Sequence, residues 1–303
     1  MSWLNADENR DFIAFDDPRY PPQLAEIPQA PLGLFTLGDA SLLCRAQIAI
    51  VGARAASTQG AENARAFARD LVRAGVTITS GLALGIDAAA HRAALDADGA
   101  TIAVCGNGLD RIYPARNQAL ARDIAARGLL ISEFAPGTAP KPEHFPRRNR
   151  VISGLSLGVL VIEAALESGS LITARLAADQ GREVFALPGS IHNPLARGCH
   201  ALIRDGAKLT ETVDDIVMEL IPLQKIIPVR AARGAELGTL VTDKVQARIL
   251  AELGHESVAL DQLVARLQVP VAEINAALLA LELDGIVTAE PGERFMLLQR
   301  REN

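Results

Sequence analysis

From residue 47 to residue 221 the chain alternates short apolar runs with stretches whose apolar positions recur about every 3.6 residues. The runs "QIAIVG", "VTITSG", "TIAVCG", "GLLISEF", "LGVLVIEAA" and "REVFALPG" predict strands. Between them, "GAENARAFARDLVRAG", "IDAAAHRAALDADG", "NQALARDIAARG", "RRNRVISGLS" and "SLITARLAADQG" predict helices, each with a glycine near its end. Strands that are apolar on both faces and joined by helices predict a parallel sheet covered on both sides. The expected fold is therefore α/β, a doubly wound, mostly parallel Rossmann-like sheet.

The flanks read differently. Residues 1–45, with "DDPRYPPQL" and "PQAPLGLFTLGD", predict an irregular lead-in packed on a 46–220 core domain. After a last helix, "ETVDDIVMELI", Pro222, Pro228 and Gly234 break the periodicity and predict a linker over 221–241. Within 242–303, three short helices are followed by "IVTAE", a "PGE" turn and "RFMLLQ", the pattern of a small winged-helix domain.

A length of 303 residues with 49% hydrophobic composition fits two globular domains. No apolar run approaches the roughly 18 residues that read as a membrane span, so no membrane association is expected. The acidic, polar start "MSWLNADENRDF" is unlike a secretory or transit peptide, so a cytoplasmic location is expected. Cys44, Cys105 and Cys199 are far apart and form no CxxC pair, which predicts buried free thiols, neither disulfides nor a zinc site. The five histidines are equally dispersed, and no metal or cofactor is expected. A net charge of -6 argues against indiscriminate adhesion to nucleic acid, although a local basic groove remains compatible with it.

Candidate chemistry concentrates at the predicted strand ends, where doubly wound sheets bind ligands. Gly52 to Thr58, Ser80-Gly81, Gly106-Asn107-Gly108, Ser168-Gly169-Ser170 and Pro188-Gly189-Ser190 supply glycines and hydroxyls there. Together they predict an anion-accepting rim, though capping accounts for any one loop taken alone. There is no G-x-x-x-x-G-K-[ST], and "GNGLDR" lacks the third glycine of a dinucleotide fingerprint, so neither an ATPase nor a dehydrogenase is expected. His91 reads as a packing or capping histidine and Asp87 as a helix cap. Glu163 reads as an acceptor for loop amides or an arginine partner.

The stretch "HFPRRNRVISGLS" sets Arg147, Arg148 and Arg150 near a helix start, where the helix dipole disfavours cations. Two readings offset that cost. The arginines pair with internal carboxylates such as Glu133 or Glu143, or they receive an external anion such as phosphate.

Several blocks, in order, closely resemble the bacterial DNA-processing protein A family, DprA or Smf, over roughly residues 18–218. They are "AIVGARAASTQG", "SGLALGIDAAAHRAAL", "TIAVCGNGLDRIYPARNQAL", "SEFAPGTAPKPEHFPRRNRVISGLS", "VLVIEAALESGSLITARLAADQGREVFALPGS" and "GCHALIRDGA". The resemblance implies a non-catalytic homodimer that binds single-stranded DNA and loads the RecA recombinase onto it, as in natural transformation. It places the DNA against Arg54, Gly106, Gly108, Lys141, Phe145, Arg148, Asn149, Arg150, Ser168, Gly169, Ser170 and Thr173. Arg148 and Arg150 would act as backbone clamps, and Phe145 as a stacking platform. Gln59 and His200 depart from the family's usual residues.

The candidate recognition helix "VAEINAALLALELDG" has Glu273, Glu282 and Asp284 but no Lys or Arg, so its domain reads as a protein-interaction or dimer-supporting module. Two other functions compete with the mediator. One is a nucleotide phosphoribohydrolase of the lysine-decarboxylase-like type, which "SGSLITAR" disfavours, with Ala174 and Arg175 where acids are needed. The other is a purely structural dimeric adaptor.

Overall fold

The computed structural model describes residues 3–6 and 8–224, then 248–250, 252–253, 258–267, 269–283, 287–290 and 294–297. They divide into two compact units, Met1–Pro228 and Val229–Asn303.

The first unit is built on nine strands: β1 (Arg10–Ala14), β2 (Gly33–Gly38), β3 (Gln47–Val51), β4 (Thr77–Ser80), β5 (Thr101–Val104), β6 (Leu129–Ser132), β7 (Gly158–Val161), β8 (Glu183–Ala186) and β9 (Lys208–Leu209). Their spatial order is β1-β2-β6-β5-β4-β3-β7-β8-β9, and β3 to β9 run parallel. Every residue of β3 to β7 is buried, because helices cover both faces. Side chains alternate between those faces: Ile48 and Ile50 join one core cluster, Ala49 and Val51 the other.

The helices are α1 (Pro22–Ala25), α2 (Thr58–Arg73), α3 (Ile86–Asp96), α4 (Gln118–Arg127), α5 (His144–Leu155), α6 (Gly169–Asp179), α7 (Arg197–Arg204) and α8 (Val213–Gln224). α5 begins at His144, which makes Pro146 its third residue; the missing N–H costs nothing in that first turn. α8 continues to Gln224, into the segment read as a linker, and residues 225–241 lie outside the described residues.

The lead-in is more regular than its sequence pattern predicts. β1 and β2 pair antiparallel, and β2 adds antiparallel to β6, with Leu37 opposite Leu130. Short strands among prolines and glycines carry little local signal when their partner is remote in sequence. Only Cys105 and Cys199 are buried; Cys44 is exposed, against the expectation for all three.

The second unit holds β10 (Val258–Ala259), α9 (Leu260–Leu267), α10 (Val271–Leu283), β11 (Val287–Glu290) and β12 (Arg294–Leu297). Residues 248–250 are helical. The strands form an antiparallel sheet ordered β10-β12-β11. Ile249, Leu263, Ile274, Leu278 and Val287 are buried in a common core. Helices followed by a hairpin agree with the winged-helix expectation.

Candidate functional site

From β3 the chain winds through β4, β5 and β6 to one side and through β7, β8 and β9 to the other. A crevice outside the strand ends at such a reversal is the usual ligand site of this architecture. A cleft of about 550 Å³ opens here. Its walls are Val51 at the end of β3 with Gly52 and Arg54 beyond it, Ala83 and Asp87 after β4, Tyr113 after β5, one stripe of α5, and Ser168 to Ser170 with Ile172 and Thr173 of α6.

The α5 stripe consists of Phe145, Arg148, Asn149 and Ile152, with Pro142 and Pro146 beside it. Those four lie at i, i+3, i+4 and i+7, a single helix face. Arg148 is 5% exposed, and its Nη1 donates to Gly81 O at 2.7 Å and to Val104 O. The guanidinium thus satisfies carbonyls where β4 and β5 end. Arg148 makes no ion pair among the described residues, and its buried Nε has no hydrogen-bond partner. Burial therefore pushes its pKa down, with Asp87 opposing the shift.

Phe145 is half-buried in the cleft wall. The Tyr113 ring lies 5.4 Å from it, centroid to centroid, and the Arg54 guanidinium carbon 5.9 Å from its centroid. A Cβ at Gly106 would lie 3.0 Å from the Phe145 ring, so this glycine admits the aromatic. Opposite, Ser168 caps α6 by accepting from Ser170 N, and the two hydroxyls are 2.7 Å apart. Asn149 Nδ2 donates to Gly169 O at 3.4 Å, tying α5 to that cap.

Of the twelve residues expected to meet a ligand, eight line the cleft: Arg54, Phe145, Arg148, Asn149, Ser168, Gly169, Ser170 and Thr173. Gly106, Gly108, Lys141 and Arg150 stand outside the lining. Gly108 is packed against Ala135 O, whereas Lys141 is exposed one residue before Pro142.

Arg150 does not have the free clamp geometry expected of it. Its side chain is 10% exposed and pairs with Glu133 at 2.5 Å. Positions 148 and 150 point about 200° apart on a helix, so they serve different neighbours. Arg147 also reaches Glu133, at 3.0 Å, and its guanidinium lies 5.4 Å from the centroid of Phe134. The arginine cluster divides: Arg147 and Arg150 take an internal carboxylate, whereas Arg148 lines the cleft.

Asp87 does not cap α3, whose N-cap is Gly85; its Oδ2 instead accepts from Gly81 N and Ala83 N. His91 is a packing histidine, as expected. It is wholly buried, with Nδ1 2.7 Å from Thr101 Oγ1. Since the Thr101 hydroxyl donates to Ile78 O, the imidazole carries its proton on Nδ1, and Nε2 has no partner among the described residues. Burial lowers its pKa to about 3.

Glu163 accepts from Ser57 N at 2.9 Å and Ser57 Oγ at 2.6 Å, and a Cβ on Gly60 would meet its carboxylate at 2.3 Å. The first βα turn, where dinucleotide pyrophosphate sits in related architectures, is thus occupied by an internal anion. Tyr113 and Ile172 were not anticipated from the sequence. The spacing of Phe145, Arg148 and Ile152 does mark the cleft-facing stripe, whereas nothing local to "RIYPAR" marks Tyr113.

The model of the DNA recombination-mediator protein A family matches residues 11–221. The chain belongs to the DprA/Smf family. The DprA winged helix domain model matches residues 234–293. Protein Smf of Escherichia coli is 44% identical over 298 residues, covering 96% of this chain and 78% of the relative. The DNA processing protein DprA of Streptococcus pneumoniae is 49% identical over 208 residues, 69% of this chain and 73% of that one. The X-ray structure of the pneumococcal DprA superposes with a TM-score of 0.68 at 47% identity, over 70% of this chain and 75% of that chain. DNA processing protein A of Helicobacter pylori, whose structure is described for its single-stranded DNA binding mode, superposes at 0.62 with 31% identity, over 67% and 93%.

Proposed function

We propose that this DprA/Smf member binds single-stranded DNA in the cleft that α5 and α6 form with the ends of β3, β4 and β5, and loads RecA onto it, without catalysing a reaction. The observation that carries the reading is Arg148: a buried cation with no ion pair among the described residues, beside an aromatic pair, in a cleft at the strand ends. Phosphate supplies the missing charge, and Phe145 with Tyr113 offers a sequence-tolerant platform for unstacked bases. The Helicobacter pylori relative's single-strand binding supports the same assignment.

Arg54, Arg148, Asn149, Ser168, Ser170 and Thr173 form the contact set on this reading, with Gly106 and Gly169 making room and Lys141 at the approach. The protein acts in the cytoplasm as a homodimer, and the winged-helix unit serves protein contacts. A phosphoribohydrolase reading gains nothing from the site, because Glu163 is bound to the Ser57 turn.

Fluorescence anisotropy with labelled oligo-dT tests the central claim. Single strands should bind far more tightly than duplex, with affinity falling steeply as salt rises. Duplex preference would refute it. RecA filament assembly on DNA coated with single-strand-binding protein should accelerate in the presence of the chain, and an unchanged lag would remove the loading role. Deleting residues 238–303 should leave most of the oligo-dT affinity.

A further inference from the structure

Among the described residues, the charged ones lining the cleft are Arg54, Arg148 and one acid, Asp87. A carboxylate beside a bound polyanion is unfavourable, so its presence needs a structural reason. Asp87 is 6% exposed, and its Oδ2 accepts from Gly81 N at 3.1 Å and from Ala83 N at 3.3 Å. Gly81 O in turn accepts from Arg148 Nη1 at 2.7 Å. One residue, Gly81, is therefore held at its N–H by the acid and at its C=O by the cation. A Cβ there would lie 2.6 Å from Arg148 Nη1, so glycine lets the guanidinium lie flat on the loop. Asp87 and Arg148 form no direct ion pair; burial pushes the Asp87 pKa up and the Arg148 cation opposes that rise, while burial pushes Arg148 down and Asp87 opposes it in turn.

We infer that Asp87 is a positioning residue with two opposed effects on DNA binding: it fixes the loop that aims Arg148, and its charge weakens the pull of Arg148 on a phosphate. The inference rests on the reading of the cleft as the single-strand site. The two effects separate chemically, because an amide keeps the acceptor oxygen and discards the charge. Asp87→Asn preserves the Gly81 and Ala83 contacts and unmasks Arg148. Asp87→Ala discards both, and the loop loses its anchor.

Oligo-dT affinity and thermal stability are measured for both variants, alone and with Arg148→Met. Asp87→Asn should bind about tenfold more tightly, the effect of one charge across several ångströms of partly screened medium, while its melting temperature falls. Asp87→Ala should bind more weakly than the parent, and in the Arg148→Met background Asp87→Asn should leave affinity unchanged. If the Asn variant does not fold, Asp87→Gln, whose side chain still carries an uncharged amide oxygen to the loop, is expected to show the same tightening. An acid that only supports the fold would lose affinity in step with stability in every variant, and that result overturns the inference. A gain of equal size with Arg148→Met overturns it too. Arg148→Met with undiminished affinity removes the cleft reading itself; a normal loss there, with no gain from Asp87→Asn, removes only the role of Asp87.

Discussion

Glu133 Oε2 receives Arg150 Nη2 at 2.5 Å from inside the fold and Arg147 Nη2 at 3.0 Å from the surface. Glu133 and Arg150 are 5% and 10% exposed at their side chains, whereas Arg147 is 61% exposed. Removing Arg150 leaves a buried carboxylate with only a surface partner, so Arg150→Ala should cost about 3–5 kcal/mol. Arg147→Ala should cost less than about 1 kcal/mol. Urea unfolding of the two variants checks the contrast, and equal losses would show that the pair is not differentially buried.

Arg54, Phe145 and Tyr113 should separate by salt. Phe145→Leu or Tyr113→Leu removes stacking, which is worth about 1–3 kcal/mol per base, and leaves the salt slope as it was. Arg54→Ala should lower both the affinity and the slope, by roughly one released counterion. Oligo-dT titrations at several salt concentrations distinguish the two behaviours.

His91 makes the fold acid-sensitive. Its folded pKa is about 3, against 6.5 for the free side chain, so between those values the unfolded chain binds a proton that the folded one refuses. Its contribution is fully present above pH 6.5 and falls by up to about 1.4 kcal/mol per pH unit as pH drops toward 3. Urea midpoints from pH 7 to pH 4 should decline less steeply for His91→Gln than for the parent.

Gly60 and Glu163 should be coupled. Gly60→Ala alone drives a methyl into the carboxylate that faces it at 2.3 Å and should destabilise the first unit. In a Glu163→Ala background the same change should be neutral or slightly stabilising, because alanine is the better helix residue by roughly 1 kcal/mol. A double-mutant cycle by thermal unfolding reads the coupling.

The parallel core was legible because buried strands are apolar on both faces and each intervening helix carries its own period and glycine. Most of the cleft was legible too, since its residues cluster at strand ends. Arg150, which pairs with Glu133 outside the cleft lining, shows where linear reading stops: neighbours in "RRNR" fan around a helix, and only their spacing separates Arg148 from the pair that shares Glu133. Asp87 and Tyr113 were hidden for another reason. Their places depend on loops after β4 and β5 that meet α5 only in the folded chain.

The pairing of β2 with β6 also dictates an order of events on the ribosome. Residues 33–38 leave the exit tunnel early, yet the strand they join, Leu129–Ser132, is synthesised after three intervening strands and the helices between them. Until then β1 and β2 have only each other, an isolated two-stranded ribbon of marginal stability. A segment translated ahead of the parallel core is thus among the later ones to be locked, and it closes an edge of β6 that would otherwise lie open to pairing with another chain.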